Sequence, residues 1–362
     1  MRLKTILFVS AFLIAVPSWS QQRAERHAVL MNAKNLMVTT TQNTEYYYLV
    51  SVESNPVIHL TDGKVRIVND EFSLSDIKSL RFRSLPRFLL DEDSTTYDKT
   101  KSVEHGLMAL RRSLNVGRWN SLVLPVDLTM EQVVDAFGEG TELATPRGIR
   151  ENDVTVVEFQ TIDFVPGETV IKAGYHYLIR PTREADIAPE AWTGNFISGQ
   201  RIYGPIYMIP DVSTTAIKQP RVQTFYSDDK SVTVYFRGTF LKLDDSVISG
   251  SRITNKRIDA GTYILSEDAR MVKNVEPAEV KAFSSWVQDM SDPKQEQLRF
   301  YVDGVGEDIS EFADALPTLR MENTEADEAV YDLGGRRVGS TRNRGALKPG
   351  LYVVGGQKVV IR

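Results

Sequence analysis

Between Glu45 and Asp303 the chain is written mostly in short runs of β-branched and aromatic residues, separated by turn residues. Beyond Gly140 these runs are Val154 to Phe159, Thr169 to Ile171, Tyr175 to Ile179, Arg201 to Met208, Val222 to Tyr226, Ser231 to Leu243, Tyr263 to Leu265, Ala282 to Val287 and Leu298 to Val302. Runs this short, with turns between and few helical patterns, describe a β-sandwich or jelly roll and not a succession of βαβ units. The fold class expected is therefore mainly β. Two of the strands open alike, Ala173-Gly174-Tyr175 and Ala260-Gly261-Thr262-Tyr263, with the glycine supplying a turn and the tyrosine starting a half-buried strand.

The organisation around this central unit follows from local signals. From Glu45 to Phe82, Asp62-Gly63 separates two β-branched runs as a hairpin turn, and Ser75-Asp76 opens a single helical turn. Residues 21–84 read as a small β-rich module and 85–112 as a polar linker. The acids Asp91, Glu92 and Asp93 lack the glycine and terminal Glu of a calcium loop, so a plain linker is expected there instead of a metal site. In Gly117 to Gly140, Trp119 to Val126 is extended and Pro125 places it at a sheet edge or strand end. Thr129 and Gln132 then form a reciprocal capping box, and Met130, Val133, Val134 and Phe137 share one helical face closed by Gly138. A short helix packed on a sheet is expected inside a central domain spanning 113–303.

The first twenty residues read as an address. Arg2 and Lys4 precede an apolar run from Thr5 to Val16, and Ser18 and Ser20 supply small residues before a cleavage expected at Gln21. Twelve apolar residues are too few for a membrane span, which needs about 20. Cleavage leaves 41 basic against 48 acidic side chains, a net of −7. That charge provides no global basic field for nucleic acid, so no nucleic-acid partner is expected. Absence of Cys removes disulfides, thiolate metal sites and a thiol nucleophile. No transmembrane segment is expected in the mature chain.

Charge separates at the other end. Residues 304–329 hold eight acids and one base and read as an acidic spacer with a short helix from Ser310 to Leu316, while 330–362 hold seven bases and one acid. The latter reads as a small β unit ending on a Gly355-Gly356 hairpin. Its segments Ala329 to Val338, with Tyr331, Gly335, Arg336 and Val338, then Leu347 to Val354, with Gly350 and Tyr352, then Lys358 to Arg362, resemble the C-terminal sorting domain of type IX secretion cargo. The Pro-Asn-Pro opening of the full-length form is absent, so the resemblance is to an abbreviated tail. It implies passage across the inner membrane by the signal peptide and across the outer membrane by the translocon that reads the tail, as in Bacteroidetes. Pro56 to Phe82, Arg118 to Thr129 and Phe300 to Gly304 are likewise similar to parts of large secreted surface proteins of those bacteria, to which no activity attaches.

No catalytic constellation is nominated. His27, His59, His105 and His176 have no metal-spaced partners, and no nucleophile elbow or phosphate loop is present. No cofactor and no metal are implied. The expectation is an exported or surface-displayed non-catalytic β protein acting in binding, adhesion or structural support, located extracellularly or on the outer membrane, with the periplasm as the alternative. Trp192, on a turn-rich loop, Tyr203 and Trp119 are the candidate contacts for a glycan or surface-protein ligand. Two other classes stay open: a secreted glycan-active hydrolase using a carboxylate pair in a cleft lined by Trp119, Trp192 or Trp286, and an accessory subunit pairing through a sheet edge.

Overall fold

The computed structural model describes residues 19–51, 56–97, 102–151, 155–187, 195–197, 200–201, 204–246, 255–266, 270–292, 295, 297–306, 329–331, 337–340, 350–354 and 357–361. The chain is mainly β, as its alternating runs require. Two sheets face one another at its centre. One has six strands, in the order Val305–Gly306, Leu298–Val302, Thr155–Thr161, Glu142–Glu151, Tyr177–Arg180 and Asn120–Leu122; the other has five, in the order Gln223–Tyr226, Thr233–Thr239, Ser284–Asp289, Tyr263–Leu265 and Met271–Lys273. Their inner faces share one core in which Phe159, Val157, Leu178 and Phe300 meet Val234, Phe236, Tyr263 and Val287. Phe159 meets Phe236 edge to face across the gap, with centroids 5.6 Å apart, a favoured aromatic geometry.

The edge position of Asn120–Leu122 agrees with Pro125, which cannot donate to a ladder, lying three residues beyond its end. The long strand Glu142–Glu151 was not expected, because Pro146 and Gly148 interrupt its apolar pattern. Its register with Thr155–Thr161 shifts between Pro146 and Gly148, so a bulge absorbs both residues.

Helix α1 spans Trp19–Met31 and helix α2 spans Met130–Phe137. In α2 the Thr129 hydroxyl accepts from the Gln132 amide and the Gln132 side chain accepts from the Thr129 amide, the expected capping box. Its buried face of Val133, Ala136 and Phe137 packs on Ile206–Val212, where Phe137 and Tyr207 lie 4.9 Å apart. At the N-terminal end, Lys34–Thr40 lies between Glu45–Val50 and Ile77–Ser84, and a second three-stranded sheet, Ile58–Thr61, Lys64–Ile67 and Asp70–Ser73, shares a core with it through Leu36, Val38, Tyr48, Val65, Ile67 and Phe72. Asp62 and Gly63 take φ of 50° and 76°, as a two-residue hairpin turn demands.

The expected polar linker over 85–112 is corrected by two strands. Arg87–Asp91 and Gly106–Arg111 pair in parallel, and Ile206–Val212 joins the second of them. Leu107, Met108, Ala109 and Leu110 are all fully buried. A strand covered on both faces reads as a continuous apolar run without alternation, and the neighbouring Asp91 to Thr100 polarity masks it.

The C-terminal segment forms an antiparallel sheet in the order Arg337–Ser340, Ala329–Tyr331, Gly350–Val354 and Gln357–Ile361. Val354 pairs with Gln357, so only two residues lie between the last two strands, which is the spacing of the expected hairpin. The proposed helix from Ser310 to Leu316 and the Gly355-Gly356 turn itself lie outside the described residues. Among the described residues no helix is long and apolar enough to cross a membrane.

Candidate functional site

A cleft of about 440 Å³ opens between the edge strand Asn120–Leu122 and the strands Tyr263–Leu265 and Ser284–Asp289 of the five-stranded sheet. Its walls come from Arg112 to Ser121 on one side and from Ile264 to Ser266 and Glu279 to Ser285 on the other. This volume lies in the range of small-molecule sites, about 300 to 1,000 Å³.

The floor is organised by Glu92, an acid that was expected in a solvated linker and is 1% exposed. Its Oε2 accepts from Arg112 Nη1 at 3.0 Å and from the Ser113 amide at 2.9 Å. Its Oε1 accepts from the Ser113 hydroxyl at 2.7 Å and from Lys281 Nζ at 2.9 Å. Burial alone would raise the Glu92 carboxyl, but hydrogen bonds from Lys281 and Ser113 and the charge of Arg112 overcome it and hold the group at about 2. Arg112 Nη2 donates to the Ser284 hydroxyl at 2.9 Å and to the Ser121 carbonyl at 3.4 Å. The Arg112 Nε is buried and has no hydrogen-bond partner.

Backbone geometry delivers the opposite wall. Phe283 is buried with φ of 62°, a left-handed conformation that is costly for a bulky side chain. The turn is held because the Ala282 amide donates to the Glu92 carbonyl, the Phe283 amide donates to the Thr239 carbonyl and the Phe283 carbonyl accepts from the Val123 amide. Lys281 and Ser284, on either side of this turn, both reach the Glu92–Arg112 floor.

Ser285, next along the wall, lies 2.9 Å from His176 Nδ1, and His176 Nε2 lies 2.6 Å from the Arg221 carbonyl. A carbonyl only accepts, so Nε2 carries the proton and Nδ1 of the neutral ring accepts the Ser285 hydroxyl proton. Burial pushes the His176 ring down to about 4, against the Arg221 carbonyl, which favours the protonated form. Gly238 sits opposite Ser285 across the strand pair, and a Cβ there would meet His176 Cε1 at 2.9 Å. The imidazole therefore needs glycine at that position.

The aromatic contacts expected from sequence are distributed otherwise. Trp119 is corrected from a ligand contact to a core residue: it is 3% exposed, packs in the sandwich interior, and has Arg180 over its ring at 5.0 Å. Trp192 and Tyr203 lie outside the described residues. Trp286 is half-buried and lines a small apolar cavity of about 30 Å³ behind Ser285. Of the export residues, Ser20 and Gln21 fall in the first turn of α1, while Ser18 lies outside the described residues. Tyr331, Val338, Gly350, Tyr352 and Lys358 lie on strands of the C-terminal sheet, and Gly335, Arg336 and Arg362 lie outside the described residues. Among the described residues, no three His, Asp or Glu side chains are grouped to hold a metal ion.

The cleft residues carried no motif. Glu92 and Lys281 are 189 residues apart, and only the fold brings them together. No family model matches the chain, and neither a curated protein nor a solved structure does.

Proposed function

We propose that the chain is an exported, non-catalytic β protein that works by binding, with the cleft between the sandwich sheets as its ligand site and a glycan or surface protein as its ligand. The observation that carries this reading is geometric: Glu92 beneath the cleft is 1% exposed and both its oxygens are taken by Arg112, Ser113 and Lys281, so it has no oxygen to offer a scissile bond. A glycosidase acid must hold a proton near neutral pH, whereas Glu92 is held ionised at about 2 by Lys281, Ser113 and Arg112. A floor of fixed charges and hydrogen-bond donors recognises a ligand without exchanging protons with it.

The leader and the C-terminal tail support an extracellular or outer-membrane address. Fractionation of the native host, with mass spectrometry of both termini, tests it for the full chain against a chain ending at Ala329. Export that depends on Val330 to Arg362 supports a sorting tail; identical fates for both chains make the tail only a part of the fold and favour a periplasmic or passively released protein. Binding is tested by titrating the purified chain with a panel of soluble oligosaccharides while assaying the same mixtures for new reducing ends. Saturable binding without new reducing ends is expected. Release of reducing ends would overturn the reading in favour of a hydrolase.

A further inference from the structure

The two three-stranded sheets of the N-terminal sandwich are closed along one side and open along the other. On the closed side Glu45–Val50 lies over Asp70–Ser73, where Tyr46 meets the Phe72 ring with centroids 4.9 Å apart and the Tyr48 hydroxyl donates to Asp70 at 2.7 Å. Lys34–Thr40 and Lys64–Ile67 are the middle strands, so the remaining edge strands, Ile77–Ser84 and Ile58–Thr61, border the opposite side together.

That side exposes residues of the core faces. Phe82 and Leu80 stand opposite Leu36 and Val38, while Ile58 and Leu60 stand opposite Ile67 and Val65, and directly opposed residues share a face of a sheet. Their partners are buried, yet Leu80 and Phe82 are 44% and 64% exposed, and Ile58 and Leu60 are 46% and 67% exposed. An edge guarded against chance pairing carries inward-pointing charges or proline; here the inward positions hold leucine, isoleucine and phenylalanine. An exposed apolar patch with a charged border marks an interaction surface. The border is basic. Arg81 and Arg83 lie on the outer face of Ile77–Ser84 and make no ion pair among the described residues. The strands of this sheet carry Lys34, Lys78, Arg81 and Arg83 against Glu45 alone. Glu45 and the neighbouring Glu104 both bear on Tyr47, on the strand at the far edge.

We infer that Ile77–Ser84 is a docking edge for an extended segment of another protein in which apolar residues alternate with Asp or Glu. The segment adds a fourth strand beside Ser79–Ser84, where the register with Lys34–Thr40 is regular, and its main chain takes up the N–H and C=O groups that point away from that neighbour. Its apolar side chains cover Leu80, Phe82, Ile58 and Leu60, and its carboxylates stand beside Arg81 and Arg83. Charge argues against a second copy as the occupant. An antiparallel self-pairing that sets Leu80 opposite Phe82 also sets Arg81 opposite Arg81, and like charges directly opposite destabilise a sheet. This edge is separate from the cleft, so the inference goes beyond the binding reading above and fails or holds independently of it.

Fluorescence anisotropy of end-capped, dye-labelled octapeptides titrated with the full mature chain tests the assignment. Three probes alternate Val with Glu, Val with Lys, and Ser with Glu; two more carry N-methyl groups on either the Val or the Glu amides of the first. The Val-Glu peptide is expected to bind best and to weaken as salt rises. Methylation of one amide set, the one facing the edge, is expected to abolish binding, and methylation of the other to spare it. Phe82→Ser should weaken the Val-Glu peptide about tenfold, the scale of burying much of a phenylalanine. Arg81→Glu combined with Arg83→Glu should turn the preference toward the Val-Lys peptide. All three residues are exposed, so both variants are expected to fold, and circular dichroism checks it. Equal binding of the Val-Glu and Val-Lys peptides, or a preference that charge reversal leaves unchanged, overturns the acidic partner. Ser-Glu bound as tightly as Val-Glu overturns the apolar seam, and both methylated peptides bound like their parent overturn strand addition. Dimerisation in sedimentation velocity that Phe82→Ser abolishes assigns the edge to a second copy and overturns the inference. Absence of binding by every peptide up to about 1 mM overturns it as well.

Discussion

Of the three carboxylates buried among the described residues, Asp186 and Glu92 are each served by two cations, yet they are built for different ends. Asp186 has no side-chain exposure; its Oδ1 accepts from Arg26 Nε at 2.7 Å and Arg183 Nη1 at 2.8 Å, and its Oδ2 accepts from the Met208 amide at 2.6 Å. Both arginines have further partners. Arg26 reaches the Asp135 carboxylate at 2.7 Å, and Arg183 donates to the Asp135 and Ala136 carbonyls in the last turn of α2. Arg26 lies on α1, so this centre fastens both helices to the Ile206–Val212 strand. Glu92 differs in what surrounds its cations. Lys281 is half-exposed and Arg112 borders a cleft. Arg183 and Arg112 both leave Nε without a partner, but open space lies next to Arg112. A buried charge pair by itself therefore says little about function; what matters is whether its cations are spent on the fold or face a void.

The strongest test of this contrast is Asp186→Ala. Removing one member of a buried pair leaves the other charge uncompensated, at a cost of about 3–5 kcal/mol, and here two arginines and the Met208 amide lose their acceptor together. Urea denaturation should show a loss of that size. A change under about 1 kcal/mol would mean that water reaches the centre and that α1 is not fastened by charge.

A pH titration sharpens the comparison on the cleft side, where two groups are held away from their ordinary values in the same direction. His176 sits at about 4 in the folded chain against 6.5 when unfolded, so the unfolded chain binds the proton first and stability falls as pH drops from about 6.5 to about 4. The full shift corresponds to about 3 kcal/mol. Glu92 contributes in a lower window: its stabilisation is present above about 4.5 and is lost as pH falls toward 2. His176→Gln should flatten the upper window and leave the lower one. Thermal unfolding at intervals from pH 7 to 3 reads both, and an unchanged slope above pH 4.5 in the variant would show that the His176 proton is not coupled to folding.

How much of this could be read in advance depended on how far apart the cooperating residues lie. Thr129 and Gln132, or Asp62 and Gly63, carry their geometry within a few residues, and the capping box and hairpin formed as expected. Tyr263–Leu265 and Leu298–Val302 also formed with the bounds expected, because each is a β-branched or aromatic run between turns. Glu142–Glu151 escaped because a bulge accommodates Pro146 and Gly148. Gly106–Arg111 escaped because burial on both faces erases alternation, and its Asp91 to Thr100 neighbourhood suggested solvent. The same masking extends to the site, because a linker over 85–112 implies a solvated Glu92, whereas the paired strands bury it as the anchor of the cleft. Aromatic size misled at Trp119, whose ring supplies core volume. Nothing local distinguishes Lys281 from another surface lysine.

The smallest expected effect is also the most discriminating. Lys281→Ala removes an ion pair whose lysine is 47% exposed, and exposed or half-exposed pairs contribute about 0–1 kcal/mol. Glu92 keeps Arg112 and both Ser113 donors after the change, so the carboxylate remains satisfied and the urea midpoint should shift little. Arg26→Ala, the matching removal of one cation from Asp186, should cost several-fold more, because Arg26 is 12% exposed and also holds Asp135 and the Met208 carbonyl. Equal losses in the two variants would make Lys281 a structural lysine, and the cleft floor would then be as fully committed to the fold as the Asp186 centre. A clear inequality leaves Lys281 a charge that folding does not need, placed where a ligand can reach it.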